Sequence, residues 1–524
     1  MEKELYKWQE ECLEKWIANN GRGMVQAATG AGKTLMALAA ARRMEQIAGR
    51  ELRVKIVVPT GALMRQWNKA LREFLLGDAG EGEGHRIRKG EIGLRGDGCR
   101  DNPGCRYMIY VINSARYELA RQILTELREG KAVLLIADEC HRYESGQNRL
   151  IFEFMPYIKE SEERFFSLGL SATLPSGAAG RYLSSVLGRK IYSYGVKKAM
   201  AFSTVCPYDI YHIGIPFQPA EKEEYQEMTE RMLYLYRKLV QTHPFLRDMN
   251  QKDRYEALAG LSADKNRKTA KAASMYLKLS YKRKSLVCLA QARTACVCDL
   301  LQCLDTRERI LIFGERISQT EDLYELLQEQ YPAGVGRYHS KMGQQANRNV
   351  LERFKTGEIR VLITCKAMDE GMDIPDVSVG IILSGTATQR QRIQRLGRII
   401  RRNEGKNRAS LYYLHIEESA EDTCFLPDAG EKHVFDLEYF PDMRRFSNPP
   451  YDKRAEKLLE EMAGRGMDTD RMKELKRCLK LGGVRSDWTL ESDWLEEQLQ
   501  KAENVRDKNY WVCMKKLQNY PNAF

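Results

Sequence analysis

The feature that most restricts how this chain can fold is a rhythm. Short apolar runs rich in Val, Ile and Leu alternate with stretches of helical periodicity, in two separate blocks. In the first block the runs fall at 24–27, 54–58, 107–112, 133–137 and 165–170, with helical segments such as 34–46 and 62–75 between them. The rhythm returns at 310–313, 336–339, 360–364, 379–383 and 410–414. A strand covered on both faces reads as a continuous apolar run, and its alternation with helices predicts a parallel sheet with helices on both sides. With 524 residues the chain is too long for one core. The fold class is therefore α/β, with two tandem parallel-sheet domains over 1–205 and 301–425.

Between them, 206–300 is read as a helical linker or insertion, because from about 216 it lacks strand signals and is rich in Glu, Lys, Arg, Met and Leu. The last stretch, 426–524, is read as a helical accessory region. Its opening, "FLPDAGEKHVFDLEYFPDMRRFSNPPYDK", looks irregular, and helical periodicity resumes near 454. The Gly-rich, charged stretch at 77–98 reads as a surface loop.

No uninterrupted apolar run approaches the roughly 20 residues that would cross a bilayer, so no membrane partner is expected. The N-terminal "MEKELYKWQE" shows no secretory pattern. Thirteen cysteines without regular spacing fit a reduced, cytoplasmic chain. The net charge of +12 permits a polyanionic partner without proving one.

The strongest local signal is "MVQAATGAGKTLMALAAARRM". A short strand leads through Thr29, Gly30, Ala31, Gly32, Lys33 and Thr34 into a helix. Glycines let successive backbone N–H groups turn inward around phosphates, and the helix N-terminus adds partial positive charge. Lys33 would reach the β/γ-phosphates and the Thr34 hydroxyl would ligate Mg²⁺, which implies ATP and Mg²⁺ as cofactors. A second signal is "VLLIADECHRYES". Adjacent Cys140 and His141 suggest zinc, but the chain supplies no further ligands at suitable spacing, and the Cys99–Cys105 pair alone cannot fill a tetrahedral site. Asp138 and Glu139 at the end of an apolar strand instead fit a metal ligand and a water-polarising carboxylate.

In that order, "AATGAGKT", "DECH" and "SAT" (171–173) resemble motifs I, II and III of superfamily 2 helicases of the DEAD/DEAH-box kind, in a DECH variant. "ILIFGERISQTEDL", "AMDEGMDIPDV" and "QRIQRLGRIIRR" resemble motifs IV, V and VI, and "VVPTGALMRQW" and "VINSARYE" resemble Ia and Ib. The resemblance spans about 1–420 and is nearest to the XPB/RadD-like and restriction-motor branch. It implies two RecA-like domains that clamp ATP. Gln9 would contact adenine, Gly371 and Asp373 would join the nucleotide site, and Gln394, Arg398 and Arg401 would act from motif VI, with the two arginines facing the γ-phosphate. His141 would couple the metal site to motif III or VI. Thr60, Arg65, Ser114 and Thr364 are the candidates for nucleic-acid contact; such contacts position a strand without reading bases.

The expected function is an ATP-dependent helicase or translocase, on DNA rather than RNA because of the branch resembled, in DNA repair or as the motor of a restriction or anti-phage defence system. No nuclease constellation is visible in the sequence, so a nuclease or another defence-complex subunit would dock through the C-terminal region. The rival is an ATP-switched nucleic-acid sensor or assembly subunit that recruits an effector without processive unwinding. A further candidate for phosphate contact is the basic stretch 265–284, where helical spacing brings Arg267, Lys268, Lys271, Lys278 and Lys282 near one face.

Overall fold

The structure is a computed structural model that describes residues 5–48, 51–77, 87–88, 90–202, 204–365, 377–384, 395–396, 399–400, 408–421, 434–447, 492–502 and 504–518. Two compact units divide them.

The first unit is built on an eight-stranded sheet. Its strands are β1 (Arg22–Ala27), β2 (Leu52–Val58), β3 (Ile92–Gly96), β4 (Cys99–Arg100), β5 (Tyr107–Val111), β6 (Ala132–Asp138), β7 (Phe165–Ser171) and β8 (Lys190–Tyr194). Across the sheet they run β4-β3-β5-β2-β6-β7-β1-β8. All pairs are parallel except β3 with β4. Every residue of β6 is buried, as befits a central strand with helices on both faces. Helix Gly61–Gly77 packs through Met64, Trp67 and Leu71, which recur on one helical face. The stretch 77–98 is not all loop, since β3 emerges from its end. Glycine at 93 is required there: a Cβ would lie 2.5 Å from the Met108 sulfur, so the strand can sit against β5 only with no side chain at that position.

The second unit holds another eight-stranded sheet: β9 (Tyr208–Ile215), β10 (Ile310–Gly314), β11 (Val335–Tyr338), β12 (Val361–Cys365), β13 (Val379–Ile382), β14 (Ala409–Ile416), β15 (Val434–Phe440) and β16 (Arg445–Ser447). Their order is β11-β12-β10-β13-β14-β9-β15-β16. The pairs β11/β12, β12/β10, β10/β13, β13/β14 and β9/β15 are parallel, and β15/β16 is antiparallel. The β9 and β14 strands also run the same way, because Pro207 and Ile215 carbonyls accept from the Ala409 and Glu417 amides in turn.

Two differences from the sequence reading stand out. The range 206–300 opens with β9, a strand buried at every position, before the helices Pro219–Thr242, Gln251–Leu261, Arg267–Cys288 and Gln291–Cys303. The stretch after 425 also contains a strand pair. In β15, Leu437 and Tyr439 are buried while Glu438 and Phe440 face out, the period-two pattern of a half-covered strand. Asp299, buried in helix Gln291–Cys303, accepts from the Tyr439 hydroxyl at 2.7 Å and from Arg444, which pins this segment to the core. The stretch Arg267–Cys303 is apolar enough in part to cross a membrane by length and composition, yet it is two helices, and Val287, Cys296, Val297 and Leu300 are buried in the unit's core.

Candidate functional site

The site lies at the carboxyl ends of β1, β6 and β7, where an open parallel sheet presents its loops. After β1 the chain turns through Gly30 and Gly32, both with left-handed backbones (φ +84° and +91°), and enters helix Lys33–Ala48. Only glycine adopts such angles without strain, so the turn depends on them. Gln9 holds this loop in place. It is fully buried, and its Nε2 donates to the Gly32 carbonyl at 2.9 Å. Its Oε1 accepts from the Tyr6 amide at 2.8 Å, which caps helix Lys7–Ala18. Lys33 Nζ donates to the Ala27 carbonyl at 3.1 Å, so its ammonium folds back over the loop that it closes.

Asp138 ends β6. Its Oδ2 accepts from Trp67 Nε1 at 2.8 Å and its Oδ1 from the Glu139 amide at 3.0 Å. Burial, and then the neighbouring Glu139 charge, push the Asp138 carboxyl up to about 6. Glu139 is the one residue of the site that is not glycine yet has a left-handed backbone (φ +47°), a strained geometry typical of functional positions. Burial alone would raise its carboxyl, but the Lys33 charge and contact with His141 hold it down at about 2.

His141 links this pair to the end of β7. Its Nδ1 stands 2.8 Å from Ser171 Oγ and 3.3 Å from Glu139 Oε2. Ser171 Oγ donates to the Thr173 carbonyl at 2.7 Å and accepts from the Thr173 amide at 3.1 Å. With that hydroxyl proton committed, the shorter contact is His141 Nδ1–H donating to Ser171, and Glu139 Oε2 makes no hydrogen bond. Thr29 Oγ1 is likewise buried without a partner. Orphaned buried oxygens are rare and costly, on the order of 1–3 kcal/mol each. Their position beside the glycine loop and Lys33 fits a bound phosphate–metal group.

The nucleic-acid candidates fare unevenly. Thr60 accepts from the Leu63 amide at 3.3 Å at the start of helix Gly61–Gly77, Arg65 is ion-paired with Asp97, and Ser114 lies near the start of helix Ile112–Arg128. Thr364 is 1% exposed and its hydroxyl donates to the Ile312 carbonyl at 3.2 Å, inside the second sheet. Gly371, Asp373, Gln394, Arg398 and Arg401 lie outside the described residues. Two residues escaped the sequence reading. Trp67 orients Asp138, and Tyr143 ties the loop after β6 to β2 by donating to the Asp138 and Val57 carbonyls at 2.6 and 2.9 Å. A buried indole or phenol must find an acceptor, which is the one signal that could have flagged them.

The fold and this site define a P-loop ATPase built on tandem RecA-like sheets. Family comparison assigns residues 2–176 to "Type III restriction enzyme, res subunit" and 292–403 to "Helicase conserved C-terminal domain". The chain is 27% identical over 402 residues to the "DNA 3'-5' translocase XPB2" of Sulfurisphaera tokodaii, covering 76% of this chain and 79% of that protein. It is 24% identical over 432 residues to the "DNA 3'-5' helicase XPB" of Kineococcus radiotolerans, covering 80% of this chain but 60% of that one. Among solved structures, the Pyrococcus furiosus Hef helicase domain matches with a TM-score of 0.52 at 15% identity, over 79% of this chain and 96% of the other. The two domain matches make the chain an ATP-hydrolysing superfamily 2 helicase, and over most of its length it is similar to XPB-type proteins.

Proposed function

We propose that the protein couples ATP hydrolysis in the first unit to movement along DNA. The observation that carries this is the wiring of the acid pair: Glu139 Oε2 stands 3.3 Å from His141 Nδ1, and His141 bonds Ser171 of motif III. In the proposed cycle Gln9 reads the adenine edge and holds the loop. The backbone from Thr29 to Gly32 cradles the phosphates, and Lys33 neutralises them. Thr34 and Asp138 would hold Mg²⁺, which would supply Lewis-acid stabilisation of phosphate charge. Glu139 orients and deprotonates the attacking water, helped by a carboxylate kept ionised. Gly371, Asp373, Gln394, Arg398 and Arg401 complete the site from motifs V and VI, with the two arginines stabilising transition-state charge. Through Ser171, loss of the γ-phosphate reaches motif III and alters the grip of Thr60, Arg65 and Ser114 on the sugar-phosphate backbone.

DNA is favoured over RNA because the two long-range relatives carry the names DNA translocase and DNA helicase. The same names favour a motor over an ATP-switched sensor. The proposed domain ranges are 1–205 and 301–425 for the two RecA-like parts, 206–300 for the helical insertion and 426–524 for the accessory region, to which a nuclease or defence-complex subunit would bind in the cytoplasm. The test is ATPase stimulation by single- and double-stranded DNA and RNA, run beside strand displacement and displacement of a third strand from a triplex. DNA-stimulated turnover with displacement supports a motor. Stimulation without either displacement points to the sensor, and no stimulation by any nucleic acid overturns both.

A further inference from the structure

We propose that Asp97 stands in for a backbone phosphate of the nucleic acid and is a built-in competitor for Arg65, an inference that rests on the reading of Arg65 as a strand contact. Asp97 is the tip of the hairpin between β3 and β4. The three tip residues, Gly96, Asp97 and Gly98, all have left-handed backbones (φ +111°, +52° and +86°), which makes a tight turn. Its carboxylate accepts a hydrogen bond from Arg65 Nη1, and its side chain occupies the space that a Cβ on Gly61 would fill. A Cβ on Gly96 would lie 3.0 Å from Ser114 Oγ and 2.8 Å from Val111. The tip therefore stands among the residues of motifs Ia and Ib that the motor would use to hold a strand.

The base of the hairpin is firmly held. Arg95 grips Glu118 of helix Ile112–Arg128 with two bonds of 2.6 and 2.8 Å, and Asp101 accepts from the Leu94 amide at 2.9 Å. The Arg65–Asp97 pair itself is open to water, with side chains 61% and 33% exposed. An exposed pair of this kind is worth little, so a phosphate can displace it. The anion at the tip is fixed in place by the turn, so it is always at hand when the strand leaves. A carboxylate within the phosphate track penalises every bound backbone equally and reads no sequence. The consequence is a weaker grip and faster release, with Asp97 setting affinity without touching ATP.

The experiment uses the full chain and fluorescently labelled single-stranded DNA, duplex DNA and single-stranded RNA in anisotropy titrations at about 50 and about 200 mM salt, with basal ATPase measured alongside. Asp97→Asn keeps a residue that tolerates the left-handed turn. It should tighten binding of unrelated sequences by roughly two- to fivefold at low salt. The gain should shrink at high salt and should be much smaller in an Arg65→Ala background, where no cation is released and only the direct repulsion between Asp97 and phosphate is relieved. Basal ATPase should not move. Asp97→Gly removes the carboxylate by a different route and should tighten binding alike, which guards against a misfolded Asp97→Asn. Wild-type binding with no gain in either variant overturns the role of Asp97 and leaves the nucleic-acid reading intact. A gain that survives undiminished with Arg65→Ala overturns the competition. If no form of the protein binds any nucleic acid, both the inference and the reading beneath it fall.

Discussion

Between β7 and β8 the first sheet places β1, which turns into a glycine loop; between β14 and β15 the second sheet places β9, which turns into Pro216-Phe217-Gln218-Pro219 and a helix begun by proline. The correspondence extends further. With the antiparallel edge strands β4 and β16 set aside, both sheets have the same order when strands are counted from the start of each: third, fourth, second, fifth, sixth, first, seventh. Yet β6 ends in Asp138 with Glu139 next, whereas its counterpart β13 leads to Leu383 and Ser384. In the second unit the carbonyls of Leu383 and Leu414 both accept from buried Arg293, whose other arm pairs with buried Glu421. Lys33 in the first unit instead donates to the Ala27 carbonyl, at the head of the loop in which Thr29 Oγ1 is buried without a hydrogen-bond partner. One fold thus appears twice, once with the charged groups of a nucleotide site at these strand ends and once with a buried arginine paired inside the unit. Architecture is shared, and chemistry resides in the side chains grafted on it.

The sharpest way to break this comparison is to remove the cation from each place. Lys33→Ala should cut ATP hydrolysis by a factor on the order of 10²–10³ or more and weaken nucleotide binding, with thermal stability nearly unchanged. Arg293→Met should do the reverse. Glu421 would be left as an unpaired buried charge, at a cost of about 3–5 kcal/mol, seen as a lower midpoint in chemical denaturation. If Lys33→Ala destabilises the chain as much as Arg293→Met does, the distinction between a nucleotide site and a buried internal pair fails.

A smaller effect sharpens how the nucleotide site is held. Trp67→Phe keeps the ring in the core and removes the donor to Asp138, a loss of about 1–3 kcal/mol of positioning. The expected result is a roughly tenfold fall in kcat with a smaller change in KM, read from steady-state kinetics. Unchanged kcat would make Trp67 a packing residue only.

The smallest effect concerns the basic helix Arg267–Cys288. Arg267, Lys268, Lys271 and Lys278 are exposed there, while Lys282 is paired with Glu224 at 2.7 Å. Tyr281, also exposed, lies 5.0 Å from the Arg316 guanidinium. Neutralising the first four should lower the log–log salt slope of nucleic-acid binding by about 0.7–0.9 for each phosphate that no longer meets a cation. An unchanged slope would leave the helix a solvated face and confine the track to the two sheets.

Much of this was legible in the sequence, and the reasons differ by element. The β6 strand and the glycine loop announce themselves, because a doubly covered strand is a run of apolar residues and a phosphate cradle needs glycine at fixed spacing. The β15 strand did not, since its buried Leu437 and Tyr439 alternate with charge amid prolines and aromatics. The β9 strand, with Asp209 and His212 buried among its tyrosines and isoleucines, lacks the aliphatic signature of its neighbours. At the candidate site, the grouping of Lys33, Asp138 and Glu139 at nearby strand ends was legible from the order of their motifs. Trp67 was not, because its partner is 71 residues away and only the fold brings them together. The bond of Thr364 to Ile312 was hidden for the same reason: a hydroxyl at a strand end gives no sign in sequence of which way it turns.

The most direct measurement is ATP binding and turnover by Glu139→Gln, with and without single-stranded DNA. The carboxylate of Asp138 proposed to hold the metal, Lys33 and the glycine loop all remain, and only the carboxylate proposed to activate water is lost. The account predicts near-normal ATP affinity and turnover reduced by a factor on the order of 10²–10⁴, with no rescue by DNA. Near-normal, DNA-stimulated turnover in Glu139→Gln would contradict it.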